Sequence, residues 1–334
     1  MGFRDREKRR LVPLKPALFS AEACEPGRYG KKRYDFCLRN DRATENLHAS
    51  IRDAAVDYFG QRNIPWHDGI GGGPSNHLCC SQSFCVNFWF PFRDAPGPLA
   101  AVLRGLGFDV VEVLPFELDR IGPGGKAGYM AFEWIGEKNY LGEGPGGKAV
   151  RDEARSRGHH FTSLDFACRF RRSDEVIQIV AGEWKYTELY SKDRNMRFSD
   201  SGTDRLKIYK PSLDAADCQI VLGDVQQESL FFDPFDQLMR QQLLCSAMER
   251  EGEMDADVVC LLHMAPKSNR EFVNRVTSPA LRSKGSDVHE VWGNLVGPER
   301  FVGVYVEDVL PLVCRHAPEP EWASYMTQRF GDMR

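Results

Sequence analysis

The sequence lacks any long hydrophobic segment. A membrane-spanning helix needs about 20 consecutive apolar residues, and the longest apolar run, around Phe84 to Phe90, reaches roughly half that length. The charged amino terminus, MGFRDREKRR, is not followed by the apolar segment of an export signal. Arg6 stands where a myristoylation signal needs Ser or Thr. These absences predict a cytoplasmic protein with no membrane segment.

The 10 cysteines form no CxxC pair and are scattered along the chain. This pattern, with no export signal, predicts reduced thiols and not a disulfide framework. His77, Cys79, Cys80 and Cys85 match no zinc spacing, and aromatic residues interleave them, so we expect these cysteines to act as small buried hydrophobes. There is also no GxSxG motif and no cysteine in a nucleophile setting, which removes the basis for a serine or cysteine hydrolase.

A complete nucleotide-binding loop is missing as well. GEGPGGK at 142–148 fits GxxxxGK, but Ala149 stands where Ser or Thr would bind the Mg²⁺ of a nucleotide. The net charge of −4 excludes a surface coated in positive potential. It does not exclude DNA binding, because an enzyme can confine its basic side chains to one cleft while its catalytic carboxylates lower the total charge.

What the chain does contain is a succession of strand and helix patterns without a persuasive linker. Residues 1–45, basic in patches, are predicted to be a loosely structured or peripheral extension, and residues 46–334 a single domain that begins with helical and glycine-rich segments. Apolar spacing and turn residues predict helices over 46–59, 98–107, 149–157, 233–252 and 306–313, and strands over 108–117, 162–172, 175–188 and 256–264. Strands followed by a helix and another strand predict an α/β or α+β class.

The strand predicted over 175–188, EVIQIVAGEWKYTE, is apolar on both faces but ends in charged residues. Alternate residues of a strand point to opposite faces, so Glu183 and Lys185 continue the face of Ile179 and Ala181. An unpaired charge at the end of a buried strand is costly. The two residues are therefore either a solvated strand end or part of a functional site.

The preceding strand, TSLDFACRFRR, favours a functional site. If the two strands pair about a tight turn at 173–174, Asp165 opposes Gly182, with Glu183 beside it. Two carboxylates at adjacent strand ends suit Mg²⁺, which takes oxygen ligands and keeps water and substrate phosphate in its shell. A metal bound there would polarise a phosphate and lower the pKa of an attacking water, and Lys185 would orient that water or stabilise the developing negative charge.

Asp165 followed by Glu183-Trp184-Lys185 resembles the D…(D/E)xK signature of the PD-(D/E)xK nuclease superfamily. The segments GEWKYTELY, HFTSLDFACRF, NHLCCSQSFCVNFWFPF and DPFDQLMRQQLLCSAME resemble the PGN_0703-like group of restriction endonucleases, from about 45 to about 310. The resemblance implies a restriction-endonuclease-like αβββαβ core, a mixed central sheet flanked by helices, and metal-dependent hydrolysis of DNA in a defence role. It also implies Asp165 and Glu183 as ligands of Mg²⁺, which Mn²⁺ would replace, and Lys185 as the catalytic lysine.

The superfamily usually adds a glutamate on a helix ahead of the aspartate strand. Glu143 is preferred here because it precedes the helix that leads to Asp165; Glu133 is the second choice, and Glu137 also remains. On the helix predicted over 233–252, three polar residues are candidates to bind nucleic acid: Gln237, Arg240 and Gln241. Their spacing either puts one or two of them over the site or leaves them on a solvated face. The basic residues expected to contact DNA phosphates are Lys31 to Arg33, Arg169, Arg171, Arg172, Lys192 and Arg194.

Two other functions remain open from the sequence. The first is a nuclease-derived fold that binds nucleic acid or a partner protein without cutting, although the intact Asp, Glu and Lys argue against a degenerate site. The second is a nuclease of RNA, or of branched or single-stranded DNA. Cutting of both strands of a duplex would favour a homodimer.

Overall fold

The computed structural model describes residues 1–119, 126–158, 160–190, 194–200 and 202–333. Its α-helices are α1 Phe3–Leu11, α2 Lys15–Leu18, α3 Ala49–Gln61, α4 Ser81–Trp89, α5 Pro96–Gly105, α6 Arg205–Leu213, α7 Phe235–Arg250, α8 Arg270–Val273, α9 Val288–Val296, α10 Val306–Arg315 and α11 Pro320–Phe330. Its strands are β1 Gly27–Tyr29, β2 Lys32–Tyr34, β3 Glu112–Leu114, β4 Glu117–Asp119, β5 Lys126–Gly128, β6 Met130–Trp134, β7 Leu164–Arg171, β8 Ile177–Trp184, β9 Val258–Ala265 and β10 Phe301–Tyr305. None of these helices is long and apolar enough to cross a membrane.

A six-stranded mixed sheet forms the centre of the fold. Its order is β10-β9-β8-β7-β3, and β6 also pairs with β7. β7 and β8 form an antiparallel hairpin, whereas β8, β9 and β10 run parallel to one another. Helix α7 makes the crossover from β8 to β9 that parallel neighbours require. The structure confirms the predicted class, an α+β fold of the restriction-endonuclease type with a mixed central sheet flanked by helices.

Apolar side chains cover both faces of the central hairpin. Phe166 and Val180 belong to one buried apolar cluster, and Ala167 and Ala181 belong to a second cluster on the opposite face. Strands covered on both sides carry nearly continuous apolar sequence, as 175–188 does. Polar side chains at the ends of these strands therefore border a dry interior.

The turn between β7 and β8 is one residue longer than predicted. Phe166 pairs with Gly182, and the ladder ends in a loop of residues 173–175. Glu175 adopts a left-handed φ of 68° at the end of this loop, the conformation expected of a three-residue hairpin connection. The predicted opposition of Asp165 and Gly182 is therefore wrong by one residue.

Residues 1–45 pack against the rest of the fold, which corrects the expectation of a loosely structured segment. Phe3 and Leu11 of α1 are buried in the first apolar cluster. The guanidinium of Arg4 donates a hydrogen bond of 3.0 Å to the carbonyl oxygen of Thr187. A division of the chain at residue 45 stays a prediction, but these residues are integrated with the core.

Elements outside the central hairpin follow the sequence patterns less closely. The helices predicted near α3, α5, α7 and α10 are confirmed. Segment 149–157, predicted as a helix, contains only the 3₁₀ turn Asp152–Ala154; its sequence AVRDEARSR offers too little apolar surface for a packed helical face. The strand predicted over 108–117 is divided, with β3 at its centre and β4 beginning at its end.

Candidate active site

Asp165 and Glu183 lie side by side at the ends of β7 and β8. Continuing the register one step beyond Phe166 and Gly182 places the two acidic residues opposite each other, so both side chains point to the α7 face. The Oδ2 atom of Asp165 accepts a hydrogen bond of 2.6 Å from the backbone N–H of Trp184. The observed register therefore brings together the acidic pair that the two-residue turn would have placed on different faces.

Lys185 follows β8 directly and is buried against Glu183. Its Nζ lies 2.6 Å from Oε1 of Glu183, an ion pair without hydrogen-bond geometry, and donates a hydrogen bond of 2.7 Å to Oε1 of Gln237. Burial disfavours the ammonium group, but the negative charges around it, with Glu183 the strongest, together outweigh burial and raise the pKa of Lys185 well above its ordinary value. Lys185 is therefore a protonated cation beside the acidic pair.

Glu133 supplies a third carboxylate to this group. It lies in β6 with a left-handed φ of 50°, a conformation that costs a non-glycine residue about 1–3 kcal/mol and that occurs often at functional sites. Its carboxylate accepts hydrogen bonds of 2.8 Å from Gln82 and 3.1 Å from Ser163. Burial, partly offset by these two donors, raises the pKa of Glu133.

Glu143, the glutamate preferred from the sequence, has a different environment. Its buried carboxylate accepts hydrogen bonds of 2.6 Å from both the N–H and the hydroxyl of Thr162, and one of 2.7 Å from the hydroxyl of Tyr209. Glu143 therefore anchors the chain entering β7 to helix α6. Among the acidic residues proposed to complete the site, the structure places Glu133, and not Glu143, beside Asp165 and Glu183.

Helix α7 contacts Glu183 and Lys185 through two glutamine side chains. The side-chain amide of Gln241 donates hydrogen bonds to Oε2 of Glu183 and to the carbonyl oxygen of Ser163. Gln237, one turn earlier, accepts the bond from Lys185. Arg240 points elsewhere and binds Asp236 at 3.2 Å. Two of the three polar residues predicted on this helix thus contact the site.

A cavity of about 620 Å³ connects these groups with solvent. This volume lies within the range of about 300–1,000 Å³ typical of ligand sites. The described residues that line it are Pro65, Trp66, His67, Asp68, Ser81, Gln82, Cys85, Glu133, Gly158, Phe161, Ser163, Asp165, Glu183, Trp184, Lys185, Glu188 and Gln237. Five carboxylates and one lysine make the cavity acidic.

The carboxylates of the cavity fit a divalent cation. Burial, followed by repulsion from Glu183 and then Glu133, raises the pKa of Asp165 well above its ordinary range. A hard cation removes this repulsion and takes oxygen ligands of this type. In the described part of the chain, no group of three His, Cys, Asp or Glu side chains is arranged to hold a metal ion. The arrangement therefore offers Asp165 and Glu183 as a two-carboxylate set, which leaves room for water and phosphate.

The described basic residues expected to contact phosphates from β7, from the turn after it and from position 194 do not line the cavity. Arg169 bonds to the carbonyl oxygens of Pro115 and Met254. The ion-pair partners of the others are Glu112 and Glu175 for Arg171, Asp174 for Arg172, and Asp200 for Arg194. Arg171 is six residues from Asp165 along β7, or about 20 Å in an extended strand. Lys192 lies outside the described residues, and contact of this group with DNA stays a prediction.

Three residues in or beside the site were not singled out by the sequence patterns. Gln82 and Ser163 hold Glu133. His263 lies beside Glu183 on β9, is fully buried, and has Nδ1 at 2.8 Å from Nε2 of His289. Burial lowers the pKa of His263 well below its ordinary value, so its imidazole is neutral. The only sequence hint of this position is that His263, next to last in the apolar run ADVVCLLHM, is polar.

Comparison with known proteins gives one match. A family model described as "Restriction Endonuclease associating with ARP" matches residues 16–331. No curated protein and no solved structure matches the chain. The family match supports the broad likeness to restriction endonucleases; it names neither the PD-(D/E)xK superfamily nor the PGN_0703-like group.

Proposed function

Because the chain belongs to the family of restriction endonucleases associating with ARP, we propose that it is a metal-dependent endonuclease of the PD-(D/E)xK type that hydrolyses DNA. One observation carries the proposal: Asp165, Glu183, Glu133 and Lys185 converge in one solvent-connected cavity at the ends of three neighbouring strands. Two carboxylates and a lysine in this arrangement suit hydrolysis of a phosphodiester bond. A defence role and a cytoplasmic location accompany this proposal.

In this proposal Asp165 and Glu183 hold Mg²⁺, with Mn²⁺ as a substitute, and Glu133 is the additional carboxylate. When bound, the metal would supply charge neutralisation at the scissile phosphate and a lowered pKa for the attacking water. Trp184 fixes Asp165 through its backbone N–H. Gln241 fixes Glu183 from α7. Both contacts hold the carboxylates in place before a substrate arrives, which limits the reorganisation needed at the reaction step.

Lys185 is proposed to orient the attacking water or to stabilise the charge that develops on the phosphate. It is the one Lys or Arg among the described residues lining the cavity. Gln237 accepts a hydrogen bond from its ammonium group and so directs it. The raised pKa of Lys185 keeps it positively charged at neutral pH, as stabilisation of a phosphate oxyanion requires.

The test is cleavage of plasmid and single-stranded DNA with Mg²⁺ or Mn²⁺, beside Lys185→Ala and the control Lys207→Ala. Lys207 is exposed and lies outside the cavity. We expect metal-dependent cleavage that falls at least about 100-fold in Lys185→Ala, the loss typical of removing one stabilising group, and is unchanged in Lys207→Ala. Cleavage that survives both EDTA and Lys185→Ala would refute the proposal.

A second candidate function is binding of nucleic acid, or of a partner protein, without cleavage. It is favoured by the engagement of both Glu183 oxygens, one with Lys185 and the other with Gln241. The same assay separates the two functions, because a binder retains affinity for DNA and cuts neither plasmid nor single strands with either metal. Inclusion of RNA and branched DNA identifies a nuclease of those substrates, and cutting of both strands would support the proposed homodimer.

A further inference from the structure

A short β-hairpin with an exposed basic tip stands beside the cavity. β1 and β2 pair with Tyr29 opposite Lys32, which leaves Gly30 and Lys31 as the turn. Gly30 has a φ of 58°, as two-residue hairpin turns require. We call residues 27–34 the basic hairpin. Its exposed cations are Arg28, Lys31, Lys32 and Arg33.

These four cations have no counter-charge within the described structure. No acidic side chain of the described residues pairs with any of them. Elsewhere on the surface arginines commonly have such partners, as Arg39 does with Asp41 at 2.7 Å and Arg197 does with Asp204 at 3.0 Å. A concentration of unpaired positive charge in a chain of net charge −4 produces a local field that attracts polyanions.

The hairpin is fixed to the wall of the cavity next to its turn and to the neighbouring chain at its base. The hydroxyl of Tyr29 donates a hydrogen bond of 2.7 Å to Asp68, which lines the cavity. The backbone of Arg28 exchanges hydrogen bonds of 2.7 and 3.1 Å with the side chain of Asn40. Gly27 allows the hairpin to pack this closely against the chain at Leu38, because a Cβ at position 27 would lie 1.7 Å from the carbonyl oxygen of Leu38. The basic tip therefore has a defined position relative to the catalytic carboxylates.

The acidic cavity cannot itself supply affinity for a nucleic acid. Its described lining contains Asp68, Glu133, Asp165, Glu183 and Glu188 against a single lysine. Like charges repel, and phosphate neutralisation by Lys and Arg provides most of the affinity of proteins for DNA. Cations at the rim of the cavity must therefore offset the repulsion between its carboxylates and the phosphates of a nucleic acid.

The geometry points to the basic hairpin as the surface that grips the backbone of duplex DNA next to the scissile phosphate. This inference rests on the proposed function, in that DNA is the substrate. A strand segment of three residues spans roughly 10 Å, and a duplex carries about one charge per 1.7 Å when both strands are counted, so about six phosphate charges lie along that length. A single strand offers about half this density. Each neutralised phosphate also releases more counterion from a duplex than from a single strand, so four cations on one rigid ribbon gain more affinity from the duplex.

The test measures DNA binding in EDTA, where cleavage does not occur. The variant Lys31→Ala/Lys32→Ala/Arg33→Ala is compared with a control triple variant that removes three exposed cations outside the cavity, Lys207, Arg270 and Arg315. Fluorescence anisotropy reports affinity for a duplex of about 30 base pairs and for one of its single strands, between about 50 and 200 mM salt. Thermal unfolding of each variant verifies that the fold is retained.

We expect the hairpin variant to lose about tenfold or more in duplex affinity and to reduce the slope of log K against log salt by about 2–3, whereas the control stays within about twofold of the natural protein. An unchanged slope and affinity in the hairpin variant would overturn the inference, as would an equal loss on the single strand. The cleavage assay tests the proposed nuclease activity independently of this binding experiment. If the protein binds DNA through the hairpin but never cuts it, the proposed activity is refuted and this inference stands. If the protein is a metal-dependent nuclease that binds DNA without the hairpin, this inference is refuted and the proposed activity stands.

Discussion

The hydroxyl of Tyr186 donates a hydrogen bond of 2.6 Å to the fully buried carboxylate of Glu7. Tyr186 directly follows Lys185, and Glu7 lies in α1, ahead of the residues 16–331 that the family model matches. Glu7 also pairs with Arg10 at 2.6 Å. A helix outside the matched region thus supports the segment that carries the proposed catalytic lysine.

Replacement Tyr186→Phe should therefore affect both stability and activity. Loss of one donor to a buried carboxylate is expected to lower the free energy of unfolding by about 1–3 kcal/mol. Because the backbone next to Lys185 loses support, kcat should fall while KM changes little. Denaturant unfolding and steady-state cleavage measure the two effects. The control is Tyr129→Phe, which lies outside the cavity and the basic hairpin and whose hydroxyl bonds to no described residue; equal effects of both changes would contradict this account.

Replacement of Glu133 should mainly reduce activity, whereas replacement of Glu143 should mainly reduce stability. Glu133→Gln removes a carboxylate from the cavity, so we expect cleavage to fall about 100-fold while the free energy of unfolding falls little. Glu143→Gln leaves the cavity intact but weakens the acceptor for Thr162 and Tyr209, so we expect a loss of about 1–3 kcal/mol in stability. Cleavage and urea unfolding, measured on both variants, distinguish these two roles. The reverse pattern would restore Glu143 as the functional glutamate.

Gly182 should tolerate no side chain. A Cβ at this position would lie 2.2 Å from the ring of Phe166 in the paired strand, so Gly182→Ala must shift the strand that carries Glu183. Overpacking of this kind costs about 1–3 kcal/mol, and we expect cleavage to fall with it. The matched control is Gly60→Ala on α3, where no atom lies within 4 Å and helix propensity should add about 0.5–1 kcal/mol. Similar thermal midpoints for the two variants would count against this packing.

Acid should destabilise the fold in part through His77. Burial, with Lys8 and Arg4 adding repulsion, lowers the pKa of His77 from 6.5 to about 4. At a pH between these two values, His77 is protonated in the unfolded chain but not in the folded state. The free energy of unfolding therefore falls as the pH decreases from about 6.5 to about 4. His77→Asn, which keeps an acceptor for the N–H of Cys79, should flatten this dependence.

Urea unfolding at several pH values measures this effect. We expect the natural protein to lose up to about 2–3 kcal/mol more than His77→Asn across that window. The control His67→Asn alters a side chain that is 76% exposed and should leave the slope unchanged. A natural protein and a His77→Asn variant with the same pH profile would refute the assignment to His77.

The central hairpin was predictable because its pattern is local. Period-two alternation and a nearly unbroken apolar run identified β7 and β8, and the same alternation assigned Asp165 and Glu183 to definite faces. The register was not predictable, since it depends on whether Glu175 adopts a left-handed conformation. That conformation depends on how the whole loop packs. A shift of one residue in the register changes which side chains lie opposite each other.

The choice between Glu133 and Glu143 also lay beyond the sequence. Both are glutamates in glycine-rich surroundings ahead of β7. What separates them is contact with residues distant in the chain: Gln82 holds Glu133 in the cavity, whereas Tyr209 of α6 holds Glu143 away from it.

The sequence by itself determined the class of fold, the buried hairpin and the candidate Asp, Glu and Lys, because alternation and apolar runs are properties of short segments. Tertiary structure alone decided that the carboxylates of three strands meet, that glutamines of α7 contact Glu183 and Lys185, and that the first 45 residues carry both a support for Tyr186 and a basic hairpin on the rim. These contacts join segments far apart in the chain, and no local pattern encodes the distance between them.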